Sequence, residues 1–263
     1  MKVKELYYYP LKSGKGIQVD RFEVGATGPL FDRHWMVVGP KGLFFSQRKD
    51  PKMALITPKV ENGQLILNAP DMPELVVPKE ASGSSITAQL WDARPEVIEI
   101  STECSDWMSS FLGKECMLVM KDPNHVRLVR EDFRVLPDAQ VDFPDGFPFL
   151  LTSHKSLEDL NQRLDQQVPM NRFRANIVID GLEPYAEDHW KEFRIGSHRF
   201  YMARPCSRCV MVNVNQDTGE KAAEPLKTLM AYRKIDTKIV FGVNLIHSEP
   251  CEISVGDSVE LII

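Results

Sequence analysis

Short strand-like runs, each closed by a turn residue, constrain this chain more than any other feature. Apolar and β-branched residues cluster at 3–9, 16–24, 35–38, 65–67 and 96–100, and again at 176–179, 192–195, 198–203, 210–214, 239–246 and 259–263. Most of these runs end at Gly, Pro or Asn, which break the ladder or supply turn geometry. Asn62-Gly63 has the composition of a two-residue hairpin turn, and Ala69-Pro70-Asp71-Met72-Pro73 reads as a further turn. Only three segments carry helical spacing: 105–112, stopped by Gly113; 153–164, with Ser153 placed to cap it; and 225–233, opened by Pro225. Their apolar stripes are expected to serve core packing. The fold class expected is mainly β (α+β), with a β-rich unit over residues 1–120 and a closed β-barrel with a few short helices over 121–263. The Pro-, Asp- and Arg-rich stretch 121–147 is the expected boundary. A length of 263 residues accommodates one large or two modest domains.

Charge narrows the function classes. Thirty-two Lys and Arg against 37 Asp and Glu leave a net charge of −5, a poor match to nucleic acid, whose binding needs a basic face. No apolar run approaches the about 18 residues of a membrane span, and the N-terminus has no signal-peptide core, so a soluble, cytoplasmic protein with no membrane span is expected. The basic residues Lys12, Lys15, Arg33, Arg48, Lys49, Arg172, Arg174, Arg204 and Arg208 nevertheless fall in short clusters. They are either solvated faces or, if folded onto one pocket, a site for a small polyanion.

Five cysteines, an odd number, argue against a disulfide framework. Cys104, Cys116 and Cys251 are isolated in sequence and read as packing residues. Cys206-Ser207-Arg208-Cys209 is the one close pair. Structural zinc needs a second ligand pair, which the sequence lacks, and a thioredoxin-type pair needs a helix after it, where the run 210–214 reads as a strand. Two readings stay open: a thiolate at a loop–strand junction beside Arg204 and Arg208, serving as a soft metal ligand or nucleophile, or two packed cysteines in a tight turn. Leu11-Lys12-Ser13-Gly14-Lys15-Gly16 lacks the Ser or Thr that a Walker A lysine requires next. It is either an anion-binding nest of backbone N–H groups or a flexible turn.

In combination these features resemble the MOSC family. Arg204-Pro205-Cys206-Ser207-Arg208-Cys209-Val210-Met211 with Asp217-Thr218-Gly219 and Glu224-Pro225-Leu226, and Arg172 to Val178 upstream, are similar to the MOSC domain. So are Pro148 to Ser153 at its opening and Val255-Gly256-Asp257 at its closing strand. Tyr9-Pro10-Leu11-Lys12-Ser13 and Asp32-Arg33-His34-Trp35 resemble the β domain that precedes MOSC. The resemblance is nearest to YcbX-like proteins and the mitochondrial amidoxime-reducing component. It implies a molybdenum cofactor, Cys209 as metal ligand and catalytic residue, and a small N-hydroxylated substrate. It also implies cofactor contacts from Lys12, Ser13, Arg33, Arg174 and Asn176, from Ser207 and Arg208 on the cofactor loop, and from Asp145, Gly146 and Phe147. Cys206 matches a more variable position.

Two departures shape the remaining expectations. Many bacterial relatives continue into a ferredoxin-like domain, whereas this chain ends at Leu261-Ile262-Ile263 with no spare cysteine cluster, so electrons are expected from a separate ferredoxin- or flavoprotein-type donor. The pyridoxal-phosphate lyase part of the sulfurases is also missing. The leading expectation is a reductase that cleaves the N–O bond of N-hydroxylated compounds. The alternatives are a carrier of the molybdenum cofactor, or of a persulfide on Cys209, and a vestigial domain without cofactor.

Overall fold

The computed structural model describes residues 1–262, and its largest sheet draws mostly on the second half of the chain. Strand order is Val259–Ile262, Glu192–Ile195, His198–Ser207, Lys238–His247, Phe149–Ser153, Ile177–Asp180, Lys2–Tyr8 and Ile17–Val19. The first and last strands of the chain then meet. Lys2 bridges Ser258, Val3 N–H donates to Asp257 O at 2.9 Å, and Val259 N–H donates to Met1 O at 2.9 Å. The sheet thereby closes into a barrel, which satisfies edges that would otherwise stay unpaired. Pairing within it is antiparallel except between Phe149–Ser153 and Ile177–Asp180, and the helix His154–Asn161 lies in that parallel crossover.

Alternation fills the barrel. Phe149 and Leu151, Ile177 and Ile179, Phe193 and Ile195, and Val243 and Leu245 all enter one buried cluster with Phe200 and Trp190. Phe149 meets Phe200 edge-on, ring centroids 5.6 Å apart.

The first half of the chain builds two smaller sheets around the helix Thr102–Leu112. One orders Trp35–Val38, Met117–Lys121, Glu96–Glu99 and Ser85–Thr87; the other orders Thr57–Glu61, Gln64–Asn68 and Leu75–Val76. Cys104, Trp107, Met108 and Phe111 of the helix join Leu65, Leu67, Trp35 and Leu118 in a shared core. Asn62 and Gly63 turn the hairpin with φ of 48° and 74°, the doubly left-handed geometry expected of that dipeptide. The two halves interlock, because Lys2–Tyr8 belongs to the barrel and Arg21–Gly25 pairs with Cys251–Ser254.

Several elements differ from the sequence expectation. Residues 210–214 do not form a strand: Val210–Asn213 is a single 3-10 turn. The Asn213 side chain explains it, donating to Ala223 O at 3.0 Å and accepting from Leu226 N–H at 3.0 Å, while Arg172 Nη1 reaches Val212 O at 3.3 Å. These side-chain bonds displace a ladder that β-branched residues otherwise favour. The preceding strand instead runs on to Ser207, through register shifts at Met202/Arg204 and Pro205/Ser207. The run 16–24 divides at Asp20 into Ile17–Val19 and Arg21–Gly25. The first helix starts earlier than expected, at Thr102, because Ser101 accepts the capping N–H from Cys104. The second is capped by Ser153 as expected but stops at Asn161, whose side chain bonds Val168 N–H and O and closes the following loop. The third spans Leu226–Tyr232, with Pro225 at the cap rather than inside it. Of the run 259–263, Ile263 lies outside the described residues.

Candidate functional site

Three polar segments from distant parts of the chain lie side by side between the halves. Tyr9 to Gly16 follows the first strand, Asp32-Arg33 precedes Trp35–Val38, and Arg174 to Asn176 leads into Ile177–Asp180. Asp32, almost fully buried, ties them together: its carboxylate accepts from Tyr9 N–H at 2.8 Å, Arg33 Nη1 at 2.5 Å and Asn176 Nδ2 at 3.1 Å. Asn176 Oδ1 accepts in turn from Arg33 Nη1 and from Leu150 N–H. Two guanidinium groups pack on the Tyr9 ring, with Arg33 and Arg174 each 4.3 Å from its centroid. A Cβ at Gly16 would run into that ring. The glycine that spoils the phosphate-loop pattern is therefore required by the tyrosine packed on it.

Strain gathers here. Ser13, Arg33 and Arg174 hold left-handed φ of 67°, 48° and 55°, a conformation non-glycine residues adopt only where the surroundings enforce it. The enforcing contacts are visible: Gln47 Nε2 donates to Ser13 O at 2.8 Å, Arg174 Nη1 to Gly14 O at 2.6 Å, and Arg33 Nη2 to Arg174 O at 3.2 Å. Gln47 and Gln216 also exchange two amide hydrogen bonds of 3.0 Å, pinning the Ser13 loop to the segment beyond the 3-10 turn.

The thiols sit at the end of the long bulged strand. Cys206 lies in it and accepts from Arg208 Nη1 at 3.1 Å. Cys209 follows it, at the cap of the 3-10 turn, and accepts from Arg48 Nε at 3.3 Å. These residues face a cavity of about 790 Å³. Its wall carries Lys12 and eight arginines (Arg33, Arg48, Arg127, Arg130, Arg172, Arg174, Arg204 and Arg208) against two carboxylates, Asp92 and Asp145.

Burial acts on these cations. It pushes Lys12 down to about 8, with Asp145 at 2.7 Å opposing the shift, and lowers Arg174 and Arg127 to about 10 each. Asp145 lines the cavity, and 59% of its side chain is exposed. Burial works to raise its carboxyl, but Lys12 first and then Arg48 and the Trp91 N–H hold it well below the usual carboxylate range.

All eleven residues singled out from the sequence, Lys12, Ser13, Arg33, Asp145, Gly146, Phe147, Arg174, Asn176, Ser207, Arg208 and Cys209, line this one cavity. Arg48, Arg172 and Arg204, named in the sequence among the basic clusters, lie on the same wall. Sequence reasoning missed Trp91, Phe133 and Arg127. Trp91 combines a left-handed φ of 56° with a cation–π contact to Arg48 at 4.1 Å, and no local pattern announces either.

Comparison with known proteins agrees with this architecture. Residues 1–115 match the MOSC N-terminal beta barrel domain and residues 138–260 the MOSC domain. Mitochondrial amidoxime reducing component 2 of Bos taurus is 34% identical over 279 residues, covering 98% of this chain and 82% of that protein. Mitochondrial amidoxime-reducing component 1 of Homo sapiens is 34% identical over 283 residues, with 99% and 82% covered. Molybdenum cofactor sulfurase of Homo sapiens is 33% identical over 98% of this chain, which spans only 32% of that protein. Interlocked β units, a cationic cavity and identity along nearly the whole length lead to one assignment: the chain belongs to the MOSC family, in its form with the MOSC N-terminal beta barrel domain, and is homologous to the amidoxime-reducing components and to the matching part of molybdenum cofactor sulfurase.

Proposed function

We propose that the protein is a molybdenum-cofactor-dependent reductase that cleaves the N–O bond of small N-hydroxylated compounds, with the Cys209 thiolate as the protein's ligand to the metal. The observation that carries this reading is the charge of the cavity: nine cationic side chains against two carboxylates, drawn from both halves of the chain around a thiol. Such an excess in a concave, partly desolvated wall calls for a polyanionic occupant. The residues fit one that brings its own metal ligands. Among the described residues no three His, Cys, Asp or Glu side chains group as a metal cage, while Arg172 Nε and Arg208 Nε are buried without a partner.

The cofactor, when bound, supplies the two-electron redox chemistry. The chain's own residues bind and orient. Lys12, Ser13, Arg33, Arg174 and Asn176 are assigned to the pterin and its phosphate. Their strained backbone and shared carboxylate fix them before the ligand arrives, which lowers the ordering cost. Ser207 and Arg208 directly precede the thiol in the chain, and the segment Asp145 to Phe147 lines the same cavity. Reduction of R–NH–OH to R–NH₂ and water consumes two electrons and two protons, so a separate ferredoxin- or flavoprotein-type donor is part of this reading.

Protein made in a host that synthesises the cofactor tests it. Stoichiometric molybdenum and reduction of benzamidoxime by a chemical electron donor are expected, with both lost in Cys209→Ala. Bound molybdenum that never turns over an N-hydroxylated compound, together with transfer of a persulfide from Cys209 to an acceptor, would replace the reductase with the carrier.

A further inference from the structure

Among the described residues, one cation of the cavity wall has no hydrogen bond or ion pair within the protein: Arg204. Its neighbours are all committed. Arg33 and Arg208 donate to backbone carbonyls of Arg174 and Phe173, Arg174 donates to Gly14 O, and Lys12 is held by Phe143 O and Asp145. Arg204 is held only by aromatic rings. Its guanidinium carbon lies 4.5 Å from the Phe133 ring centroid and 5.7 Å from that of Phe147, and the two rings meet edge-on at 6.1 Å. Contact with the face of an aromatic ring holds a guanidinium without using up its N–H donors. The register shift just before Arg204 is the kind of bulge that re-aims a side chain. Directly across the ladder, Asn244 also lines the cavity, and its amide has no side-chain hydrogen bond either.

We propose that Arg204, with Asn244 beside it, recognises an anionic oxygen group, a carboxylate in the first place, on an aromatic N-hydroxylated substrate whose ring packs against Phe133 and Phe147. This rests on the reductase reading and deepens it, by naming the substrate class. The chemistry follows from what the two side chains leave unused. A guanidinium fork matches two carboxylate oxygens, an adjacent amide adds a further donor, and the rings offer an apolar surface to the body that carries the charge. A neutral substrate uses the rings and leaves the fork without a partner.

The test compares benzamidoxime with 4-carboxybenzamidoxime on the holoenzyme, and the matching products benzamidine and 4-carboxybenzamidine as calorimetric probes that need no turnover. Wild type is expected to favour the carboxylated member of each pair. Arg204→Met, which keeps the packing between the rings, is expected to shrink that preference by about 10- to 100-fold, through KM rather than kcat and equally in the binding of the product. The molybdenum content is expected to match wild type. The proposal is overturned if wild type shows no preference, if Arg204→Met weakens both members alike, or if the variant loses molybdenum, which would assign Arg204 to the cofactor. Preferential binding of 4-carboxybenzamidine that is lost in the variant, without turnover of either oxime, would uphold the anion site and remove the reductase reading instead.

Discussion

Raising the pH through about 8 removes the proton that Lys12 needs in order to hold an anion. The side chain is 6% exposed, and its burial brings it down to about 8. On that value about nine-tenths of the molecules carry the charge at pH 7 and about one-tenth at pH 9. An anion beside Lys12 favours the charged form, so binding takes up a proton in this range. The affinity for inorganic sulfate, which does not itself titrate there, should therefore fall about tenfold from pH 7 to pH 9. Titration calorimetry of ligand-free protein in two buffers of different ionisation enthalpy reads both the affinity and the proton. Lys12→Met should bind weakly at both pH values and show no slope. A wild-type affinity that is flat across this window, or a slope that persists in Lys12→Met, would refute the assignment of Lys12 to the anion. The sign for stability is the opposite: the folded value lies below the unfolded one, the unfolded chain holds more protons between them, and the ligand-free protein gains stability as pH rises from about 8 towards 10.5.

Two further outcomes follow from buried polar groups. Glu187 is fully buried, Ser156 Oγ donates to its Oε1 at 2.9 Å, its Oε2 has no partner, and burial pushes its carboxyl up to about 7. The raised folded value means stability is full below about 4.5 and falls as pH rises through about 7, so Glu187→Gln should stabilise by about 2–3 kcal/mol at pH 8 and by nothing at pH 4.5, measured by urea denaturation. Gln47→Leu strands Gln216 Oε1 and Ser13 O, while Gln216 Nε2 keeps Val214 O, at a cost of about 2–4 kcal/mol, and should loosen the Ser13 loop enough to weaken sulfate binding; unchanged affinity would separate the amide clamp from the site.

The parts of the site legible in the sequence are those written in local chemistry. Asn62-Gly63 announces its turn because both residues tolerate positive φ, and Ser153 announces its cap because its hydroxyl reaches Ser156 N–H. The cysteine block and the Lys12 loop stand out by composition. Convergence could not be read in this way. Lys2–Tyr8 pairs with Ile177–Asp180, far away in the sequence, and that long-range ladder carries Lys12 to Arg174. The strained backbone at Ser13, Arg33 and Arg174 belongs to residue types that seldom adopt it, so nothing local marks it. The 3-10 turn at Val210–Asn213 misled for the reverse reason: β-branched residues gave a strand-like pattern that a single asparagine, bonded across the loop, overrides. Trp91 acquires its meaning only from Arg48 and Asp145, and Phe133 and Arg204 only from each other.

The central claim is that Cys209 holds the metal of a molybdenum cofactor seated in the cationic cavity, and X-ray absorption at the molybdenum edge tests it most directly. Holoprotein should show one thiolate sulfur in the metal's coordination shell beyond those the cofactor itself brings. That sulfur should persist in Cys206→Ser and be replaced by oxygen in Cys209→Ser. A shell unchanged in Cys209→Ser, or lost in Cys206→Ser, would contradict the account and move the ligand to the other cysteine.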